Sequence, residues 1–188
     1  MFNLVLFGPP GAGKGTQSHK VIEKYNFIHI STGDMFRKHK ADQTPLGIEV
    51  QSLMDSGKLV PDSITIKMLE DAMESFTDAK GFIYDGFPRT IPQAEALDNF
   101  LKEKGQQVDL VLQLDVEEEV IKKRIQERQK ISGRADDAQK ELLIRIEEYF
   151  NKTIHVLPHY KNQNKVEKVN GMNSIDDVFT SICNKIDQ

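Results

Sequence analysis

The sequence predicts an α/β fold in which a sheet of parallel strands is covered by helices on both faces. Short runs rich in Val, Ile, Leu and Phe alternate with amphipathic segments along the chain of 188 residues. Most runs lack strict alternation of polar and apolar residues, as expected for parallel strands that are buried on both sides. A glycine-rich loop separates the first run from the first amphipathic segment, and this order of strand, loop and helix is typical of layered α/β domains.

Five apolar runs are the predicted strands: residues 2–7, 27–30, 81–84, 110–114 and 166–169. The last run does alternate, so we expect it at an edge of the sheet. Helices are predicted at residues 17–25, 62–76, 92–104, 117–129 and 138–160, and Ser174 marks the cap of a last helix. Residues 31–60 carry a helical pattern without an obvious strand, and residues 129–137 are predicted to form a polar loop between two helices.

The composition is that of one domain. Hydrophobic residues make up 38% of the chain and Trp is absent, so we expect a mostly aliphatic core. The net charge of −4 provides no overall positive field for nucleic acid. The single cysteine, Cys183, excludes an internal disulfide and a four-cysteine zinc site, and fits a reduced, cytoplasmic setting. No run has the length of a membrane span, and the apolar N-terminus is too short for a signal peptide.

The loop at residues 8–16, with the sequence GPPGAGKGT, has the features of a phosphate-binding site. Its glycines allow backbone N–H groups to close around an anion, the following helix contributes its positive N-terminal end, and Lys14 adds a full charge. An ordinary Gly/Pro turn is the alternative, but it does not account for the lysine and the flanking elements together. Gly15 stands where many such loops have Ser or Thr, and the hydroxyl comes one position later, at Thr16.

Polar residues also follow the second predicted strand. Residues 31–34, STGD, fall beyond its carboxyl end, which is where open parallel sheets bind ligands. Arg37 lies one turn further along. Taken alone, the segment is better explained as a helix cap with Ser31 or Thr32 at the N-cap.

The third predicted strand is followed by residues 85–89, DGFPR. Asp85 is suited to holding magnesium through water near a phosphate loop. Arg89 offers a planar fork that matches phosphate, and Gln93 has an amide able to read a base edge. The alternative is a β-turn with incidental charges.

Arginine supplies only six of the 25 basic residues, and four of the six lie within residues 124–145. If residues 129–137 form a hairpin between two helices, these four arginines converge. A dry cluster of this kind would be strongly repulsive without anions, so it points to a polyphosphate ligand. The alternative is a solvated face neutralised by neighbouring Asp and Glu residues. The six are Arg37, Arg89, Arg124, Arg128, Arg134 and Arg145.

Acid–base and nucleophilic chemistry have no clear candidates in the sequence. His155 and His159 are four residues apart, but no third ligand has a convincing spacing for zinc, and Pro158 lies between them. The other histidines are scattered, and no arrangement of Ser, His and Asp stands out. The sequence therefore predicts no well-placed histidine and no general base.

With these motifs assembled, the chain resembles the adenylate kinases and, more broadly, the nucleoside monophosphate kinases. The similarity runs essentially end to end and rests on GPPGAGKGT at 8–16, STGDMFR at 31–37, GKLVPD at 57–62, DGFPRT at 85–90 with Gln93, and GRADD at 133–137. It implies a P-loop NTPase-type three-layer α/β/α fold with a five-stranded parallel sheet and two mobile flaps. The implied single domain, 1–188, comprises a core (1–30, 61–126, 138–188), a flap for the nucleoside monophosphate (31–60) and a short lid over ATP (127–137).

The resemblance also implies roles for individual residues, carried over by matching position. The residues implied to bind ATP are Gly11, Ala12, Gly13, Lys14, Gly15, Thr16, Arg128 and, through its backbone, Asn173. Those implied to bind AMP are Thr32, Arg37, Lys58, Leu59, Val60, Gly86, Phe87, Pro88, Arg89, Gln93, Arg134 and Arg145. Arg134 is also implied to close on ATP from the lid, together with Arg128. The implied catalytic residues are Lys14, Arg89, Arg124, Arg128, Arg134 and Arg145. Asp85 would hold Mg²⁺ through water. The short lid resembles the type without structural zinc.

The implied reaction is the reversible transfer of the terminal phosphoryl group of MgATP to AMP, giving two ADP. The acceptor oxygen of AMP is already anionic, so the reaction requires no general base. A UMP/CMP kinase on the same fold is the nearest alternative, although Thr90 and Gln93 resemble the adenylate pattern. A non-catalytic nucleotide-binding module is less consistent with the complete set of cations. We expect ATP and AMP/ADP as ligands, Mg²⁺ as cofactor, no nucleic-acid or membrane partner, and a cytoplasmic monomer.

Overall fold

A computed structural model describes residues 1–76, 78–132 and 139–188. In this part of the chain five parallel strands form one sheet, in the order β2-β3-β1-β4-β5. The strands are β1 (Phe2–Phe7), β2 (Ile28–Ser31), β3 (Gly81–Asp85), β4 (Leu110–Asp115) and β5 (Val166–Asn170). The five-stranded parallel sheet is confirmed, and so is the position of β5 at an edge.

The described ranges contain nine α-helices. They are α1 (Lys14–Tyr25), α2 (Thr32–Ala41), α3 (Pro45–Asp55), α4 (Asp62–Glu74), α5 (Ile91–Glu103), α6 (Glu118–Ser132), α7 (Gln139–Asn151), α8 (Val156–Lys161) and α9 (Ile175–Ile186). Along the chain, helices α2 to α4 follow β2 and precede β3, and helices α6 to α8 follow β4 and precede β5. No helix in the described ranges has the length and apolar character needed to cross a membrane.

Both faces of the sheet are buried under helices. On β1, Val5 and Phe7 point to one face while Leu4 and Leu6 point to the other, because successive side chains of a strand alternate. The face with Val5 packs against α4, α5, α7 and α8. The opposite face packs against α1 and α9. This arrangement confirms the three-layer α/β/α fold and leaves the carboxyl ends of the strands free for a site.

Two predicted boundaries are corrected by the structure. Helix α1 begins at Lys14 rather than at residue 17, because the left-handed conformation of Gly13 turns the chain directly into the helix. Helix α6 continues to Ser132, so residues 129–132 are helical and do not belong to a loop. The rest of that predicted loop, residues 133–137, lies outside the described residues.

The prediction of one helix over residues 138–160 is wrong. Helix α7 ends at Asn151, a 3₁₀ helix spans Thr153–His155, and α8 begins at Val156. Pro158 accounts for the break, because proline has no N–H to donate and its ring clashes with the carbonyl group four residues earlier in a continuous helix. In the observed structure Pro158 occupies the first turn of α8, where these penalties do not arise.

Helices α2 and α3 form a helical hairpin that packs against α4 through a small apolar cluster. The cluster consists of Phe36, Val50, Val60 and Met68. The hydroxyl of Ser31 accepts a hydrogen bond of 3.2 Å from the backbone N of Asp34, so α2 begins with a capped end. The interpretation of Ser31 as a helix cap is therefore correct.

Candidate active site

A cleft of about 750 Å³ opens at the carboxyl ends of the central strands. Asp85, the last residue of β3, is paired in register with Ser31 of β2 and with Leu6 of β1. This register brings the ends of β2 and β3 and the loop after β1 to the same edge of the sheet. The volume is that of a small-molecule site, and open α/β sheets bind their ligands at this edge.

The loop after β1 enters α1 through glycines with positive φ. Gly11 has a φ of +80°, and a Cβ atom there would lie 2.8 Å from Cγ1 of Ile125. Gly13 has a φ of +97° and immediately precedes the helix. Glycine adopts these conformations without the strain that a side chain would add. Residues 10–16 line the cleft, so the positive N-terminal end of α1 lies at the cleft wall.

Lys14, the first residue of α1, folds back over the loop. Its Nζ donates hydrogen bonds to the carbonyl oxygens of Gly8, at 2.8 Å, and Pro9, at 3.1 Å. Burial lowers the pKa of Lys14 to about 8, the carboxylate of Asp85 opposes this decrease, and nearby arginines add to it. A bound anion would reverse the effect of burial, because it stabilises the protonated lysine.

Asp85 has a partly buried carboxylate that faces the loop. Its Oδ2 lies 3.9 Å from the position that a Cβ on Gly15 would take. Burial alone would raise the pKa of Asp85, but the neighbouring His29 and the charges of Lys14 and Arg89 outweigh burial, and the pKa is lowered. Asp85 therefore supplies a negative charge to an otherwise positive cleft.

The prediction that no histidine is well placed is wrong for His29. Its Nε2 lies 3.7 Å from Oδ2 of Asp85, which is close enough for electrostatic attraction but longer than a hydrogen bond. His29 lines the cleft together with His19, and their ring centroids are 5.8 Å apart. In the sequence, His29 is marked only by its position two residues before Ser31. That position places His29 near Asp85 only because β2 pairs with β3, which the sequence does not show.

The structure brings five of the six arginines together around the cleft: Arg37, Arg89, Arg124, Arg128 and Arg145. Arg134 lies outside the described residues. Arg124 donates hydrogen bonds to the carbonyl oxygens of Gly171, at 2.9 Å, and Ala12, at 3.4 Å. It thereby joins the loop after β1 to the turn that follows β5. Asn173 lies in the cleft wall beyond this turn.

A smaller cavity of about 80 Å³ adjoins the cleft. Three arginines, Arg37, Arg89 and Arg145, line both the cavity and the cleft. Most residues that the resemblance assigns to AMP line the cavity: Thr32, Arg37, Lys58, Leu59, Val60, Gly86, Arg89, Gln93 and Arg145. Positive charge is thus concentrated where the two spaces meet, which is the arrangement needed to bring two polyanions together.

The carbonyl oxygen of Gly86 organises one wall of the cavity. It accepts hydrogen bonds from Oγ1 of Thr32, at 2.9 Å, and from Nε of Arg89, at 2.6 Å. The side chain of Phe87 is instead buried in the core, at 1% exposure. Pro88 lines a neighbouring pocket rather than the cavity itself. A β-turn with incidental charges therefore does not describe this segment fully, because its carbonyl group orients the side chains of Thr32 and Arg89.

Sequence reasoning missed several residues that line the cavity. Phe36, Met54 and Thr65 contribute side chains to its wall. Phe36 also belongs to the apolar cluster of the hairpin, so its spacing on α2 indicates packing and gives no separate sign of a site. Among the described residues, no three His, Cys, Asp or Glu side chains gather into a metal cluster. The expectation that the protein has no structural zinc stays a prediction.

Comparison with known proteins gives a consistent result. Residues 6–165 match the family model described as adenylate kinase. The chain is 44% identical to an adenylate kinase of Bacteroides fragilis over 187 residues, covering 100% of this chain and 99% of the relative. It is 48% identical to an adenylate kinase of Flavobacterium psychrophilum over 179 residues, covering 95% and 94%. An adenylate kinase of Maricaulis maris is 42% identical and covered over 99% of both chains.

Proposed function

The chain belongs to the adenylate kinase family, and from that premise we propose that it transfers the terminal phosphoryl group of MgATP to AMP, reversibly, giving two ADP. The cleft is the site for ATP and the small cavity is the site for AMP. The observation that carries this proposal is the set of arginines shared by both spaces, Arg37, Arg89 and Arg145. A protein that bound one nucleotide would not need a second, adjoining compartment lined by the same cations.

In this proposal the ATP phosphates lie against residues 11–16 and the N-terminal end of α1. Lys14 has one N–H left after its bonds to Gly8 and Pro9, and it supplies the positive charge. Arg128 approaches from the end of α6, and Arg134 is proposed to do the same from the lid. The backbone of Asn173 is proposed to meet the adenine ring, in the part of the cleft where Arg124 holds Gly171.

AMP is proposed to occupy the cavity between α2, α3 and the segment that follows β3. Arg37, Arg89 and Arg145 hold its phosphate at the boundary with the cleft. Residues 58–60 and Gln93 surround the base, while residues 86–88 and Thr32 shape the wall. Because Gly86 accepts hydrogen bonds from both Thr32 and Arg89, the wall and the phosphate-binding arginine are fixed to each other.

The acceptor oxygen of AMP carries negative charge at neutral pH, so the protein has to position two anions and offset their repulsion. Lys14 and the shared arginines do so from fixed positions around the meeting point of cleft and cavity. Their side chains come from α1, α2, α7 and the segment after β3. Closure of the proposed flap and lid over the nucleotides would also exclude water, which otherwise accepts the phosphoryl group.

The residues present fit a magnesium ion. Asp85 is an acidic oxygen donor whose pKa is lowered, and Thr16 places a hydroxyl in the same cleft. Magnesium in nucleotide sites binds one or two carboxylates, several waters and the phosphates. When bound, the ion supplies charge neutralisation of the transferred phosphoryl group. Since Gly15 leaves the position after Lys14 without a hydroxyl, Asp85 holds the ion through water in this proposal.

Residues 31–60 are proposed to act as the AMP flap and residues 127–137 as the lid. Phe36 and Val50 of the hairpin pack against Val60 and against Met68 of α4, so the proposed flap meets the core through this small apolar cluster. The core then comprises residues 1–30, 61–126 and 138–188. In the lid, the described residues 127–132 continue α6.

We propose that a monomer is sufficient for activity, because the phosphate loop, the cavity and the arginines shared by cleft and cavity are all supplied within one chain. The proposed ligands are free ATP, AMP and ADP, and the proposed location is the cytoplasm. The net charge of −4 gives no support to a nucleic-acid partner. It is arginine that is concentrated at the cleft, which five of the six arginines line.

A coupled assay with MgATP and each of AMP, UMP and CMP tests the proposal. We expect rapid ADP formation with AMP and a much lower kcat/KM with the two pyrimidine nucleotides. A higher kcat/KM with UMP or CMP would contradict the proposed AMP site and would indicate a pyrimidine nucleotide kinase. Tight nucleotide binding without turnover of any of the three would replace the proposed kinase by a binding module.

A further inference from the structure

Two neighbours fix the orientation of the Gln93 amide. Its Oε1 accepts a hydrogen bond of 2.8 Å from the backbone N of Arg89, and its Nε2 donates one of 2.7 Å to Oδ1 of Asp62. A backbone N–H only donates, and a carboxylate only accepts. The oxygen of the amide must therefore face Arg89 and its nitrogen must face Asp62, whichever way the group would otherwise turn.

Asp62 reaches Gln93 from outside the cavity. It is the first residue of α4, and Gln93 lies in the first turn of α5. Gln93 is only 2% exposed and lines the cavity, whereas Asp62 is not among the residues of the cavity wall. Asp62 is thus placed to act on a ligand through Gln93 and not by touching the ligand itself.

We propose that Asp62 is a positioning residue that sets the base preference of the cavity by locking the Gln93 amide. The inference rests on the proposed function, because it takes the cavity as the AMP site. After its two internal bonds the amide keeps one N–H and one oxygen lone pair. Adenine has a donating 6-amino group beside accepting ring nitrogens, so both remaining amide groups find a partner on its edge.

The same locked amide disfavours a base with oxygen at position 6. Hypoxanthine, the base of IMP, accepts a hydrogen bond at that position, as guanine does. The amide oxygen of Gln93 then faces another acceptor, and a buried polar group left without its partner is costly. To serve IMP the amide would have to turn over, which places its NH₂ group against the N–H of Arg89 and its oxygen against the carboxylate of Asp62.

The Asp62→Asn variant removes half of this lock while keeping the size of the side chain. An asparagine amide both donates and accepts, so it tolerates either orientation of Gln93. We expect the ratio of kcat/KM for AMP to kcat/KM for IMP to fall by about tenfold or more, the effect of one hydrogen bond. The change should come from a higher KM for AMP and a lower KM for IMP, with kcat for AMP within a few fold of wild type.

Asp71→Asn is the matched control. Asp71 is a carboxylate on the same helix, α4, and is paired with Lys67 at 2.9 Å on the exposed surface. It should leave the AMP to IMP ratio unchanged. A merely structural role of Asp62 predicts a parallel loss with both substrates, and such a parallel loss, or an unchanged ratio in Asp62→Asn, overturns the inference.

A second readout does not depend on catalysis. The NMR signals of the Gln93 side-chain NH₂ group, assigned by their loss in Gln93→Leu, should move in Asp62→Asn and stay in place in Asp71→Asn. Unmoved signals in Asp62→Asn contradict the lock even if activity changes. If wild-type protein phosphorylates AMP but these tests fail, only the role of Asp62 is wrong, whereas an inactive wild type would remove the proposed function itself.

Discussion

Nζ of Lys14 lies 2.8 Å from the carbonyl oxygen of Gly8, so the lysine that is placed to hold phosphate also ties together the two ends of its own loop. A second bond, to the carbonyl oxygen of Pro9, leaves the ammonium group with one donor. The loop is therefore shaped before any anion arrives, which reduces the ordering that binding requires.

Nucleotide binding at pH 8.5 should be accompanied by proton uptake. The pKa of Lys14 is about 8 in the free protein, below its ordinary value, so a large part of the lysine is neutral at this pH. Polyphosphate raises the pKa again, and we expect uptake on the order of half a proton per ADP bound. Affinity should accordingly weaken as the pH rises through about 8. Calorimetric titrations in two buffers with different ionisation enthalpies measure the uptake.

The Lys14→Arg variant is the control for this measurement, because arginine stays protonated throughout the range. It should bind ADP without taking up a proton at pH 8.5. Equal proton uptake by Lys14→Arg and wild type would place the titrating group elsewhere in the cleft.

The Arg89→Ala variant should lose about 10²–10³-fold in kcat, the scale seen when a preorganised charge partner of a transition state is removed. Arg89 lines both the cleft and the cavity, so its loss affects both nucleotides. Steady-state kinetics with ATP and AMP measure the effect, and a circular-dichroism melt checks that the fold is intact. Lys67→Ala, which removes an exposed cation from α4, should behave as wild type. A near-normal kcat for Arg89→Ala would show that Arg89 does not stabilise the transition state.

The Asp85→Asn variant should require about tenfold more Mg²⁺ for half-maximal activity and should turn over more slowly at saturating Mg²⁺. The reason is that Asp85 faces the phosphate loop from the end of β3, where its carboxylate is kept ionised by nearby cations. Activity measured over a Mg²⁺ titration gives both quantities. Asp115→Asn changes the carboxylate at the end of β4, which β1 separates from β3, and should leave the Mg²⁺ requirement unchanged. An identical requirement in both variants would argue against a metal role for Asp85.

The Gly47→Ala variant should destabilise the hairpin of α2 and α3. A Cβ atom on Gly47 would lie 2.1 Å from the carbonyl oxygen of His39, so the two helices have to separate. We expect a loss of about 1–3 kcal/mol in the free energy of unfolding and a higher KM for AMP. Urea unfolding and kinetics measure these effects.

The control for the Gly47→Ala variant is Gly105→Ala. Gly105 has a φ of +68°, but nothing lies within 4 Å of the Cβ atom that alanine would add, so the substitution costs only backbone strain. It should lower stability by about 1 kcal/mol and leave the KM for AMP unaltered. A normal KM for AMP in Gly47→Ala would indicate that hairpin packing does not shape the cavity.

The sheet and the phosphate loop were predictable because their signals are local. An apolar run such as residues 2–7 identifies a strand buried on both faces, and a glycine loop followed by Lys14 identifies the turn into α1. The break between α7 and α8 was missed because the apolar stripe continues past it. Pro158 is the local sign of the break, because proline lacks the N–H that a continuous helix needs, whereas helical periodicity alone predicts one long helix.

Within the site, the arginines could be predicted as a group because their chemistry is unusual in a lysine-rich chain. The contacts between distant segments could not. His29 beside Asp85 requires the pairing of β2 with β3, and Asp62 beside Gln93 requires the packing of α4 near α5. Asp62 in particular looks like an ordinary acidic residue in the first turn of a helix, which is where such residues are common. Only the fold shows that its carboxylate faces the amide of Gln93.

The central claim is that cleft and cavity hold two nucleotides and pass a phosphoryl group between them. The most direct test is ³¹P NMR of wild-type protein mixed with equal amounts of ATP, AMP and Mg²⁺. We predict that the signals of ATP and AMP fall together, that two ADP appear for each ATP consumed, and that no inorganic phosphate accumulates. Release of inorganic phosphate with AMP unchanged, or no reaction at all, would contradict the account.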